Sequence, residues 1–62
     1  MLDYFKTILS KVSFDPELFE KELLKAIKSL VADEVQKLKE WCYKQFGHIY
    51  QQILNYCFLQ VA

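Results

Sequence analysis

One proline and one glycine are the only strong backbone breaks in the chain, and the proline stands in the segment Phe14-Asp15-Pro16-Glu17. Asp15 can accept hydrogen bonds from free backbone N–H groups. Pro16 suits the first helical position, where no N–H bond is needed, and Glu17 meets the positive end of the helix dipole. A helix therefore starts at Pro16, with Phe14 and Phe19 at the two positions of a hydrophobic staple. Gly47 marks the other stop, because a glycine just past a helix end relieves the left-handed conformation that closes it.

Hydrophobic periodicity fills the intervals. Leu2, Phe5, Leu9 and Val12 share one side at helical spacing, with Met1 and Ile8 beside them, while Asp3, Lys6, Thr7, Ser10 and Lys11 take the other. From Pro16 onward, Phe19, Leu23, Ala26, Ile27 and Leu30 face inward, and Lys21, Glu22, Lys25 and Lys28 face water. Asp33 and Glu34 resemble the first-turn acids of a new helix, which favours a tight break after Leu30 over one long helix, although Val31 is a poor capping residue. The next stripe is Val35, Leu38, Cys42 and Phe46, with Trp41 and Tyr43 on its shoulders. After Gly47 the apolar residues Ile49, Tyr50, Ile53, Leu54, Tyr56, Cys57 and Val61 spread over more than half of the helical circumference. They leave a wedge of Gln51, Gln52 and Asn55 that also holds Leu59, with Phe58 on its border. The predicted fold is an all-α, compact bundle of three to four short helices over residues 2–12, 16–30, 32–46 and 48–60, forming one helical domain over residues 1–62.

At 62 residues such a chain can bury only about 60% of the surface it exposes when unfolded. Against that limit, 53% of the residues are hydrophobic and 16% aromatic, so a lone copy is expected to leave large apolar side chains in contact with water. Self-association or a protein partner relieves this most simply. Eight lysines offset eight acids and there is no arginine. The chain thus lacks both the basic stripe that gives phosphate affinity and the forked side chain that reads guanine, so nucleic acid is not an expected partner. The segment Met1-Leu2-Asp3-Tyr4-Phe5-Lys6 has neither the basic start nor the long apolar run of a signal peptide, and Met1 is the expected first residue of a complete small reading frame. With only two cysteines, the expected location is the cytoplasm. From Gln45 to the end no Asp, Glu or Lys occurs, but Gln45, His48, Gln51, Gln52, Asn55 and Gln60 interrupt the apolar run, and membrane attachment is not expected.

The chain is poor in reactive groupings. Cys42, His48 and Cys57 are its only soft metal ligands, and their spacing matches no paired-ligand zinc pattern. A bridge between the cysteines is also unexpected. In a hairpin turning at Gly47 they would be offset by about 7.5 Å along the helix axes, to which a helix separation of about 8–10 Å is added. His48 reads as a solvated interhelical histidine. Glu20 projects between Leu24 and Ile27 on the apolar arc, where a buried acid would mark a site, but a first-turn glutamate usually reaches water. No phosphate-cradling glycine loop, serine–histidine–acid set or paired carboxylate can be assembled, so catalysis, metals and cofactors are not expected. The expected function is a small protein-interaction module that self-associates through its apolar C-terminal helix, with Tyr50, Leu54, Tyr56, Phe58, Leu59 and Val61 as the candidate interface. The alternative is a helical carrier of a small apolar ligand or lipid held between helices.

Overall fold

Asp15 starts a helix as its local sequence demands. In the computed structural model, which describes residues 1–59, its carboxylate accepts from the backbone N–H of Glu17 at 3.0 Å and of Leu18 at 3.4 Å, and Pro16 is the first helical residue. A cap of this kind contributes about 1 kcal/mol. The helix it begins, α2 (Pro16–Ser29), lies between α1 (Leu2–Lys11) and α3 (Ala32–Leu59), and there is no strand among the described residues. The all-α bundle expected from periodicity is present. The staple is not: Phe19 is fully buried, whereas Phe14 is 78% exposed on the surface.

α1 has no side-chain cap at its start and closes at Val12, whose N–H donates to the Ile8 carbonyl at 3.0 Å. Phe5 and Leu9 are buried, and Leu2, Ile8 and Val12 are half-buried on the same side. A helix of 10 residues is too short to persist alone in water, so this stripe against the rest of the bundle is what keeps it folded.

The break between α2 and α3 falls where the acids Asp33 and Glu34 predict it. Leu30 leaves helical geometry (φ −93°, ψ 152°) while its side chain stays buried, and Val31 turns outward to water. The Val35 N–H then donates to the Val31 carbonyl at 2.9 Å, which begins α3. Burial of Leu30 within the two-residue break and of Val35 just after it ties both helices to the same core.

Gly47 does not end a helix, which corrects the expected boundary between 32–46 and 48–60. Its φ is not positive, and helical structure continues through it. The chain turns instead at Tyr50, whose dihedrals (φ −119°, ψ 32°) leave the helical region. The turn is sharp. A straight helix of 28 residues would be about 42 Å long, yet the longest dimension of the molecule is 26 Å. Tyr43 and Asn55 would lie about 18 Å apart on a straight axis, yet the Tyr43 hydroxyl donates to the Asn55 side-chain oxygen. α3 is therefore a hairpin with an N-terminal arm (residues 32–49) and a C-terminal arm (residues 51–59).

The cause of the turn lies in side chains distant in sequence. The Tyr50 ring sits 4.8 Å from that of Phe19 and 6.4 Å from that of Phe46, and its hydroxyl donates to the Ser13 carbonyl. These contacts hold Tyr50 against α2 and the loop that precedes it at the point where the chain turns. Gly47 itself is an ordinary helical residue. A Cβ there would meet only Tyr43, at 3.9 Å. Gly47→Ala is thus expected to raise stability by about 0.5–1 kcal/mol through helix propensity, measured by urea unfolding. A loss of stability would restore Gly47 as the helix stop.

One core joins the three helices. Phe5 and Leu9 from α1, Phe19, Leu23 and Ala26 from α2, Leu30 from the break, and Val35, Leu38, Cys42, Leu54, Cys57 and Phe58 from both arms of α3 are buried together. Trp41 and Phe46 extend it toward the corner with their rings 5.5 Å apart and nearly perpendicular, and Phe46 meets Phe19 edge-on at 5.0 Å. Lys6 covers the outer face of Trp41 at 5.7 Å from the ring centroid, an arrangement that favours a cation over an aromatic face.

Candidate functional site

The residues that the sequence marks as an interface separate into three groups. Leu54 is fully buried and Phe58 nearly so, both inside the core. Tyr50 is half-buried at the corner, with its ring and hydroxyl engaged by Phe19 and Ser13. Tyr56 and Leu59 remain on the surface, 53% and 72% exposed. Val61 lies outside the described residues. The hydrophobic wheel of the C-terminal arm does not reveal this division, since nearly every direction around it carries an apolar side chain. Its orientation is set by Leu54, Cys57 and Phe58 packing inward, which leaves Gln52, Asn55, Tyr56 and Leu59 outward.

Leu59, one turn after the exposed Tyr56, borders a shallow depression between the two arms of α3. Lys39, Tyr43, Asn55, Phe58 and Leu59 line this space of about 330 Å³, which is open to solvent. The Tyr43 ring is 6.2 Å from that of Phe58, so the floor is aromatic, and Lys39 is exposed at the rim. Chemically, the surface offers apolar contact with few unsatisfied polar groups, because the Tyr43 and Asn55 side chains already bond each other.

A second apolar area, at the corner, is not legible in the sequence. Phe14 and Ile49 are exposed, and Pro16, His48, Ile49, Tyr50 and Ile53 lie around one open depression. The staple pattern assigns Phe14 inward and the helical wheel assigns Ile49 inward, and no local signal reverses either. His48 is exposed there.

The cysteines are core residues with free thiols. Burial, then the charge of the Cys57 thiolate, pushes the Cys42 thiol up to about 12, with Lys6 opposing the rise. Burial, then the Glu20 carboxylate, pushes Cys57 up to about 11. Both are protonated at neutral pH and shielded from water, as befits small apolar fillers. Glu20 is half-buried in α2 on the side that approaches Cys57, beside an open space lined by Asp15, Glu17, Leu18, Lys21 and Leu24.

No known protein family matches the chain, and no curated protein or solved structure resembles it closely enough to count as a relative. Its reading therefore rests on its own residues. Among the described residues, no three His, Cys, Asp or Glu side chains gather where they could hold a metal ion. No described helix is long and apolar enough to cross a membrane.

Proposed function

We propose that the protein is a non-catalytic interaction module that pairs with a second copy of itself through the outer face of the C-terminal arm of α3. The observation that carries this reading is the pair Tyr56 and Leu59, left exposed on an arm whose Leu54, Cys57 and Phe58 are buried, with Leu59 at the edge of the Phe58-floored depression. A protruding leucine and a neighbouring apolar hollow on the same face form a self-complementary surface, the requirement for a two-fold dimer. The accessible surface of 4305 Å² is close to the roughly 4,200 Å² typical of a folded monomer of this mass. Association thus joins folded copies and is reversible. Balanced charge and the absence of arginine suit a protein partner better than nucleic acid or an anionic membrane, and two reduced core thiols suit a reducing cytoplasm.

Tyr56→Asp combined with Leu59→Asp tests this surface without entering the core. Light scattering after size exclusion, over a hundredfold range of concentration, is expected to show a concentration-dependent dimer for the native chain. For the double variant, dimerisation should weaken by at least about tenfold, since each apolar side chain withdrawn from an interface contributes on the order of 1–2 kcal/mol. Helical circular dichroism should not change. A native chain that stays monomeric throughout, or a variant that dimerises equally well, would refute the proposal.

A carrier role is the second reading, and the depression volume of about 330 Å³ supports it, since ligand sites run from about 300 to 1,000 Å³. Its openness to solvent favours a protein surface over a ligand chamber. Lipid or other apolar material extracted from purified protein would reverse that preference.

A further inference from the structure

Cys42 and Cys57 take no part in the surface above, yet the hairpin in α3 sets them opposite one another. The corner at Tyr50 lies eight residues after Cys42 and seven before Cys57, so the returning arm brings them level to within about 1.5 Å, one helical rise. Two contacts fix that register. The Tyr43 hydroxyl donates to Asn55, and the rings of Tyr43 and Phe58 are 6.2 Å apart, so the neighbours of one cysteine already touch the neighbours of the other. Both cysteines are fully buried in the same core.

The geometric objection drawn from a turn at Gly47 no longer applies. For helices packed about 8–10 Å apart, Cα atoms that face each other stand about 2.3 Å inside each axis and come to within about 3.5–5.5 Å. That range overlaps the window of about 4.4–6.8 Å in which disulfides form.

We infer that Cys42 and Cys57 are a reversible oxidation site, closing into an intramolecular disulfide across the α3 hairpin when a low-molecular-weight disulfide such as oxidised glutathione is supplied. Cys57 reacts first, because burial pushes its thiol up less far, to about 11 against about 12 for Cys42, so it forms the attacking thiolate more readily. Its thiolate attacks one sulfur of oxidised glutathione, forming a protein–glutathione disulfide and expelling one glutathione thiolate. The Cys42 thiolate then attacks the Cys57 sulfur, forming the internal bond and expelling the second glutathione. The two protons lost by the cysteines end on the two reduced glutathione molecules, so two electrons pass from the protein to the oxidant. Burial keeps both thiols protonated in the closed fold, pushed up to about 12 and about 11, which makes opening of the arm the slow step.

The test incubates the reduced full chain with oxidised glutathione at pH 8, blocks remaining thiols, digests with trypsin and measures masses. Lys39 and Lys44 bracket Cys42, and no lysine follows Lys44, so an internal bridge holds peptides 40–44 and 45–62 together after cleavage. The expected product is that linked pair from a chain lighter by two hydrogens and not joined covalently to another copy. Closing a loop of about 15 residues should raise the melting temperature by about 10 °C or more, reversibly with dithiothreitol. Persistent glutathione adducts, bridges between chains, or thiols still unmodified after incubation at the melting midpoint would overturn the inference. So would a bridged chain that melts lower than the reduced one, because the bond would then form only by breaking the packing.

Discussion

Leu54→Ala is expected to unfold a large share of the protein instead of merely changing its state of assembly. Leu54 is fully buried where the C-terminal arm of α3 meets the core, and truncating such a leucine costs about 2–5 kcal/mol in lost transfer energy and cavity formation. A chain of 62 residues has a total stability of about 3–9 kcal/mol at the usual per-residue value. The substitution therefore removes a large fraction of what holds the fold. Far-UV circular dichroism and urea titration should show a lowered midpoint and loss of helix at room temperature, whereas Leu59→Ala, on the exposed face, should shift stability by no more than about 0.5 kcal/mol. Equal, small effects at the two positions would mean that the C-terminal arm does not pack as described.

Alkaline pH is expected to destabilise the reduced protein strongly between pH 9 and 12. From the ordinary value of 9.0, folding pushes Cys42 up to about 12 and Cys57 up to about 11. Below pH 9 both folded and unfolded chains hold these protons and the thiols contribute no pH dependence. Above it, the unfolded chain releases protons that the folded chain retains, so stability falls as pH rises through the folded values. At pH 11 the loss is on the order of 2 kcal/mol per thiol, with the smaller share from Cys57. Thermal melts in the presence of a reductant should show a steep fall in Tm over this interval. The Cys42→Ala, Cys57→Ala double variant should show a shallower one, because every other group is common to both proteins. Parallel curves would remove the buried thiols as the cause.

At α2 and the break after it, local chemistry was legible in the chain and the structure follows it closely. The Asp15 cap, the proline at the first position of α2 and the break before Asp33 all depend on backbone groups within a few residues of the side chain concerned. The inward faces of α1, α2 and the first arm of α3 likewise repeat at helical spacing, and Phe5, Leu9, Phe19, Leu23, Ala26, Val35, Leu38 and Cys42 are buried accordingly. The candidate surface was legible only in part. Among its residues, Tyr56 and Leu59 are on the outside, but Leu54 and Phe58 belong to the core, because an arm apolar on nearly every side offers no pattern to say which side turns in.

The sequence by itself determined where α1, α2 and α3 begin and which stripe of each of the first three segments is buried, since hydrogen bonds to nearby N–H groups and a 3.6-residue period require nothing beyond the segment itself. Only the tertiary structure decided that the chain turns at Tyr50 and not at Gly47, that Phe14 stays in water, and that Cys42 comes to face Cys57. These outcomes come from side chains far apart along the chain: Tyr50 against Phe19 and Ser13, and Tyr43 against Asn55 and Phe58. A glycine permits a turn, but burying an aromatic ring and satisfying its hydroxyl impose one, and the residues that do so at Tyr50 meet it only after the helices have packed.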